Sequence, residues 1–247
     1  MKNITVYNFQ DFHEIVSNYS EEMIFRGVSR KSYELVPKVG RKRYFSNSEV
    51  KSGSTSLDIY EQKLMSEFQN IALPFIDNIP KSEWEWWAVA QHYGLPTRFL
   101  DWTKNPLVAA YFAIEDCNME EDCVVYASAR KQFDVDIDLA DYLSPLEIGE
   151  IFLFHPPHIA KRITAQSGLF TVHNNPTIPL DKTKITHSDD SKKKQGRNYK
   201  VDRIVIDRNF KKEFKNILNL YGWNQATIYP GLDGVTGYLD WLTIDAV

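Results

Sequence analysis

The chain has 247 residues, of which 43% are hydrophobic and 25% charged, with a formal net charge of -4. That length supports one substantial core, and the acidic balance argues against bulk nucleic-acid capture, although the basic strip Lys38 to Arg43 has the chemistry to meet a phosphate. No apolar run approaches the roughly 20 residues that span a bilayer, MKNITVYNFQDF has no apolar signal core, and Cys117 and Cys123 form no disulfide framework, so the expectation is a soluble, cytoplasmic protein without a membrane partner.

From Thr5 to Ser20, Phe9, Phe12, Ile15, Val16 and Tyr19 recur at helical spacing behind Asn8, a suitable N-cap. Met23 to Gly27, MIFRG, predicts a short strand carrying one arginine, and Tyr33 to Gly40 an extended piece stopped by Pro37 and Gly40. After a polar loop, Ser46 to Ser56, Asp58 and Glu61 have capping-box spacing at the head of a helix. Its apolar face is Tyr60, Leu64, Phe68, Ile71 and Ala72. Trp84 to Tyr93 predicts a second helix, closed by Gly94 and Pro96. Asn105 as cap and Pro106 in the first turn start a third over Leu107 to Ile114, whose Ala109, Ala110 and Ala113 suit close packing on a sheet. Val124 to Ala127, Leu169 to His173 and Arg203 to Ile206 predict strands, and Phe210 to Leu220 a helix ending at Gly222. The polar stretch 174–200, with SDDSKKKQGR at its centre, predicts a solvated insertion. With no repeat and no linker, residues 1–247 predict a single α+β domain, a mixed sheet flanked by helices.

Within EWWAVAQHYGLPTRFLDWTKNPLVAAYFA, from Glu85 to Ala113, the polar residues Gln91, His92, Thr97, Arg98, Asp101 and Thr103 stand among aromatic and aliphatic neighbours. A buried polar group without a partner costs roughly 1–3 kcal/mol, so these residues either satisfy one another or face a ligand. Arg26 in MIFRG is of the same kind: its guanidinium fork suits phosphate or carboxylate, and the alternative is a structural ion pair, with Asp101 or a glutamate as partner. Gly27 beside it permits close approach of a ligand or another backbone. Asp101 and Thr103 share one face of an extended segment leading into the Asn105–Pro106 helix start, where anions are favoured. Arg162, Gln166 and Thr171 form a further polar set in KRITAQSGLFTVH. His155 and His158 are separated by two prolines and lack a completing ligand, so no metal is expected. No phosphate-loop, serine-elbow or His-Glu-x-x-His pattern is present.

Phe25-Arg26-Gly27, YELVPKVGR, AQHYGLPTRFLDWTKNPLVAAYFA, RITAQSGLFTVH and NQATIYPGLDG, in that order, resemble the FRG domain, named for its Phe-Arg-Gly tripeptide. The family is found in bacterial and phage-related proteins, and the resemblance implies a role in anti-phage defence or as a toxin. The chain also resembles ADP-ribosyltransferases of the arginine, serine and glutamate class. In those, an arginine in a first strand is followed by a Ser-Thr-Ser strand end and a helix opening near Val-Ala-x-x-Phe-Ala. Phe25-Arg26-Gly27 matches the first element, and Asp101-Trp102-Thr103 with Val108-Ala109-Ala110-Tyr111-Phe112-Ala113 the second. This resemblance implies that Arg26 grips the pyrophosphate of NAD, that Asp101 and Thr103 brace the site, and that Gln166 occupies the place of the family's glutamate. Aspartate here replaces the first serine, and glutamine carries no charge to stabilise a developing cation, which leaves Asp101 or Asp233 to supply one.

These observations imply a cleft with Arg26, His92, Asp101, Thr103 and Gln166 as catalytic candidates, and Gly27, Gln91, Thr97, Arg98, Arg162 and Thr171 as ligand-binding ones. NAD is the implied substrate, with a macromolecular acceptor. The alternatives are a non-catalytic module that senses a nucleotide or phosphate ligand and regulates a protein partner, and a nuclease using Asp101, His92 and a divalent metal.

Overall fold

The computed structural model describes residues 2–41, 56–76, 78–115, 120–133, 144–156, 168–185 and 196–244. Most of the Ser46 to Ser56 loop, Cys117, His158, Arg162, Gln166, and the centre of the 174–200 stretch lie outside the described residues. In chain order the main elements are β1 (Asn3–Val6), α1 (Phe9–Ser17), β2 (Met23–Val28), α2 (Leu57–Ala72) and α3 (Glu83–His92), then β3 (Phe99–Thr103), α4 (Pro106–Ile114), β4 (Cys123–Ala129) and β5 (Phe152–Phe154). They are followed by β6 (Gly168–Val172), β7 (Asp202–Ile206), α5 (Lys211–Leu220), α6 (Gln225–Ile228) and α7 (Leu232–Ile244). The described strands form one seven-stranded sheet in the order β1-β7-β4-β2-β3-β6-β5, in which β1 and β7 run parallel and every other neighbouring pair antiparallel. The fold is therefore α+β, a mixed sheet with flanking helices. No helix among the described residues is long and apolar enough to cross a membrane.

Strand alternation sorts the core. On β4, Cys123, Val125 and Ala127 face α1, α4 and α5, where Phe12, Val108, Phe214 and Leu218 are buried. Val124 and Tyr126 face the opposite side and are covered by Leu35, Phe133, Leu180 and Tyr199 from connecting segments. Leu180, Ile185 and Tyr199, all buried, fall within the polar stretch 174–200. A third cluster packs Trp84, Trp87 and Met65 of α3 and α2 on Phe99, Phe154, Phe170 and Val172.

The head of α2 differs from the sequence expectation. Ser56 is its N-cap, accepting from the Ile59 amide, and Asp58 and Glu61 instead hold Arg98. The residues of α2 that are fully buried are Glu61 and Met65, while Ile71 on the predicted apolar face is 70% exposed. Two carboxylates three residues apart satisfy a capping box and an arginine equally well, and the arginine lies far along the chain.

Gly27 marks a backbone-to-backbone contact between sheet and helix. A Cβ built there would lie 1.9 Å from the Ala109 carbonyl oxygen and 2.6 Å from the Ala113 nitrogen, so α4 rests directly on the β2 backbone. The small residues read from the sequence are the ones at this contact.

Candidate functional site

β2 and β3 are neighbours in the sheet, yet they share the single pair Phe25↔Thr103, against six pairs between β2 and β4 and five between β3 and β6. Beyond Phe25 the two strands part. A cavity of about 360 Å³ lies there, lined by Arg26, Gly27, Val28 and Ser29, by Gln91 and His92 of α3, by Asp101, Trp102 and Thr103 of β3, by Phe112 of α4, by Gly168 and Phe170 of β6, and by Phe25, Tyr33 and Arg41. Its volume falls in the range of small-molecule sites.

Arg26 spans the parting. Its Nη1 donates to the Asp101 carbonyl at 2.7 Å and to the Asp101 carboxylate at 3.1 Å. Arg26 has a side-chain exposure of 14% and Asp101 of 53%, so the carboxylate faces the cavity mouth while the cation sits deeper. Among the described residues, Nε and Nη2 of Arg26 donate to no protein group.

The Asp101 carboxylate is positioned from a second side. Helix α3 ends in a Schellman turn, with Leu95 N–H on the Ala90 carbonyl, Gly94 N–H on the Gln91 carbonyl, and Gly94 at φ 84°. The reversal brings Thr97 back to Gln91. The Thr97 hydroxyl donates to Gln91 Oε1 at 2.5 Å, which turns Gln91 Nε2 onto Asp101 Oδ2 at 2.9 Å. Thr97 Oγ1 also accepts from the Phe99 amide at 3.1 Å, so this relay is anchored on the first residue of β3. His92 lines the same cavity, edge-on to Tyr93. Thr103 accepts from the Asn105 amide at 3.1 Å, and Asn105 caps α4, tying the rim of the cavity to the helix start.

Thr97, Arg98 and Thr171 lie in the interior, away from the cavity lining. Arg98, whose side chain is 1% exposed, bonds Glu61 at 3.3 and 2.5 Å, and Asp58 besides, fixing α2 to β3. Burial pushes the Glu61 carboxyl up to about 7 against the pull of Arg98. Although burial opposes it, the net effect of the two carboxylates is to raise the Arg98 guanidinium, which stays charged. Thr171 accepts from Trp102 Nε1 at 3.0 Å and meets His173 Nε2 at 3.1 Å. It thereby locks the indole on the side of the sheet away from α3. Arg162 and Gln166 belong to 161–167, outside the described residues, and Gly168, the next described residue, lines the cavity. Asp233 lies in the first turn of α7 and is not in the lining.

His173 gives this region a pH signature. It is fully buried, its Nδ1 has no hydrogen-bond partner among the described residues, and burial, with Arg26 and Arg98 nearby, lowers its pKa from 6.5 to about 3. The unfolded imidazole binds its proton near 6.5 and the folded one near 3, so stability is fully present above 6.5 and is lost as pH falls toward 3. Each pH unit inside that window removes about 1.4 kcal/mol. Urea unfolding of His173→Gln between pH 6.5 and 4.5 is expected to be flatter than wild type by this slope, and parallel profiles would assign the acid sensitivity to other groups.

Sequence reasoning passed over Tyr33, Phe112 and Gly168 as lining residues, and met Arg41 only as a member of the basic strip Lys38 to Arg43. The available signal for Tyr33 and Arg41 was their place at the two ends of the YELVPKVGR block that follows Phe-Arg-Gly.

Residues 21–122 match the model of the FRG domain, so the chain carries an FRG domain that includes β2, α2, α3, β3 and α4. β5, β6 and β7 lie beyond the matched span, as do the RITAQSGLFTVH and NQATIYPGLDG blocks. No curated protein and no solved structure gives a significant match to the chain.

Proposed function

We propose that this FRG-domain chain binds a phosphate-bearing nucleotide, NAD first among the candidates, where β2 and β3 part, and acts on it as an ADP-ribosyltransferase-like effector in bacterial or phage conflict. The observation that carries the reading is the state of Arg26. It is a largely buried cation in a cavity wall, with one nitrogen on Asp101 and two nitrogens donating to no described protein group. That remaining edge of the fork matches two oxygens of a phosphate.

Phosphate at Arg26 competes with Asp101 for the guanidinium and leaves the carboxylate to meet other charge. Breaking the bond between nicotinamide and ribose expels a neutral leaving group and develops positive charge on the ribose, which a carboxylate held at the cavity wall stabilises. Asp101 is the carboxylate of the described lining. Water or an acceptor side chain then bonds the ribosyl carbon and gives up a proton.

A sensor without turnover is favoured by a separate observation. Arg26 and Gln91 together satisfy Asp101, and glutamine stands at 166 where the resemblance places a catalytic glutamate. Calorimetric titration with NAD, ADP-ribose and ATP, followed by measurement of nicotinamide release, separates the two readings. Arg26→Ala is expected to weaken binding by at least about tenfold while the protein stays folded. Release abolished in Asp101→Ala supports the enzyme, and binding without release supports the sensor. A wild-type protein that binds none of the three sinks both.

A further inference from the structure

Helix α7 presents an apolar stripe to solvent. Leu232, Val235 and Leu239 are 82%, 43% and 54% exposed, and Leu242 continues the row, partly buried. The helix is held to the domain by a different face. A Cβ at Gly234 would lie 1.9 Å from the Tyr229 carbonyl oxygen and one at Gly237 2.3 Å from Gln225 Nε2, while Trp241 stacks with Tyr238 and has Lys215 Nζ 5.6 Å from its ring centroid. At 3.6 residues per turn, the stripe lies about 130° around the helix from these contacts. Docking of α7 onto its own domain therefore leaves the stripe outward.

Successive members of the stripe are three, four and three residues apart, the a and d spacing of a coiled-coil seam. Read backwards, the spacing is the same. A two-fold axis at the middle of α7 thus sets Leu232 against Leu242 of a second copy and Val235 against its Leu239, so every layer joins two branched apolar side chains. The charges agree with this occupant. Asp233 and Asp240 are the charged residues of α7, and both fall at b positions outside the seam. Thr236, Thr243 and Tyr238 take the e and g positions, where charges would otherwise select a partner of opposite sign. Two identical seams meet without opposing like charges.

We propose that α7 is a self-association surface, which pairs antiparallel with α7 of a second copy about a two-fold axis. Four apolar side chains from each copy fall short of the roughly 800 Å² per partner of a standard interface, so the dimer is a weak, concentration-dependent one.

Sedimentation of the full chain tests this. The weight-average mass of wild type is expected to climb from one chain toward two, with the midpoint at roughly 10–100 µM. Val235→Glu and Leu239→Lys are each expected to weaken association at least about thirtyfold, with unchanged unfolding midpoints because both side chains are exposed. Mixed in equal amounts, the two variants should recover the dimer. The carboxylate introduced at position 235 of one copy then faces the ammonium introduced at 239 of the other, and the symmetry-related layer keeps its native Val235 and Leu239. Phe75→Glu, at an 81% exposed residue just past α2, should dimerise as wild type does. A wild type that stays monomeric throughout overturns the proposal, as does a dimer that survives both seam substitutions or is abolished by Phe75→Glu. A mixture that stays monomeric overturns the antiparallel pairing.

Discussion

Replacing Arg98 with methionine is expected to destabilise the protein by roughly 3–5 kcal/mol at pH 8, the cost of leaving a buried charge without its partner. The charge is Glu61, whose side chain is 0% exposed and whose two oxygens both bond Arg98. Burial already pushes this carboxyl up to about 7 with the guanidinium present, and without it the folded pKa rises further. A folded pKa above the unfolded value means stability that is present at low pH and lost as pH rises through the folded pKa. The deficit of the variant should therefore shrink to roughly half at pH 5, where Glu61 is neutral in the folded state. Denaturant titrations at the two pH values measure this directly. The double variant Glu61→Leu, Arg98→Met should recover most of the loss, since an apolar pair of similar volume is often neutral in place of a buried ion pair. A pH-independent loss, or no recovery, would show that the arginine acts through packing of its stem instead.

Gly27→Ala is the second large effect. The added carbon overlaps the Ala109 carbonyl oxygen at 1.9 Å and the Ala113 nitrogen at 2.6 Å. Both are backbone atoms, so no side chain can swing aside and α4 must lift from β2. Overpacking of this kind costs about 3 kcal/mol or more. Because the overlap is with the main chain, Ala109→Gly should give no rescue. Gly149→Ala, where a Cβ meets nothing within 4 Å, serves as the control and should stay within about 0.5 kcal/mol of wild type. Arg26 adjoins Gly27, so ligand affinity should fall with stability in the first variant and be untouched in the second. A folded Gly27→Ala protein of wild-type stability would refute the close helix contact.

The parts of the fold that were legible are those whose local chemistry admits one reading. Asn105 followed by Pro106 starts a helix wherever it is met, and the Asn105 side chain does accept from the Leu107 amide. Gly94 and Gly222 ended helices as expected, each at positive φ. β1 and β5 escaped because four and three residues are too few to show a period of two. The C-terminal helix α7 escaped because LDGVTGYLDWLTI carries two glycines that lower helix propensity. The polar residues were conspicuous, but sequence placed Arg98, as a ligand-binding candidate, and Asp101, as a catalytic one, in the same cleft. Only the sheet pairing sends one to Glu61 in the interior and the other to the cavity with Arg26.

The pairing of β1 with β7 aligns Asn3 with Arg203 and Val6 with Ile206. An N-terminal strand whose partner is made some 200 residues later must wait on the ribosome, for about 10–40 s at ordinary rates of synthesis. During that interval the sheet edge at β4 that β7 will occupy is open as well. Strand β1, made long before its partner, is thus among the last strands to be secured. A nascent chain halted before β7 emerges would present two unpaired edges, making it the species most in need of a chaperone.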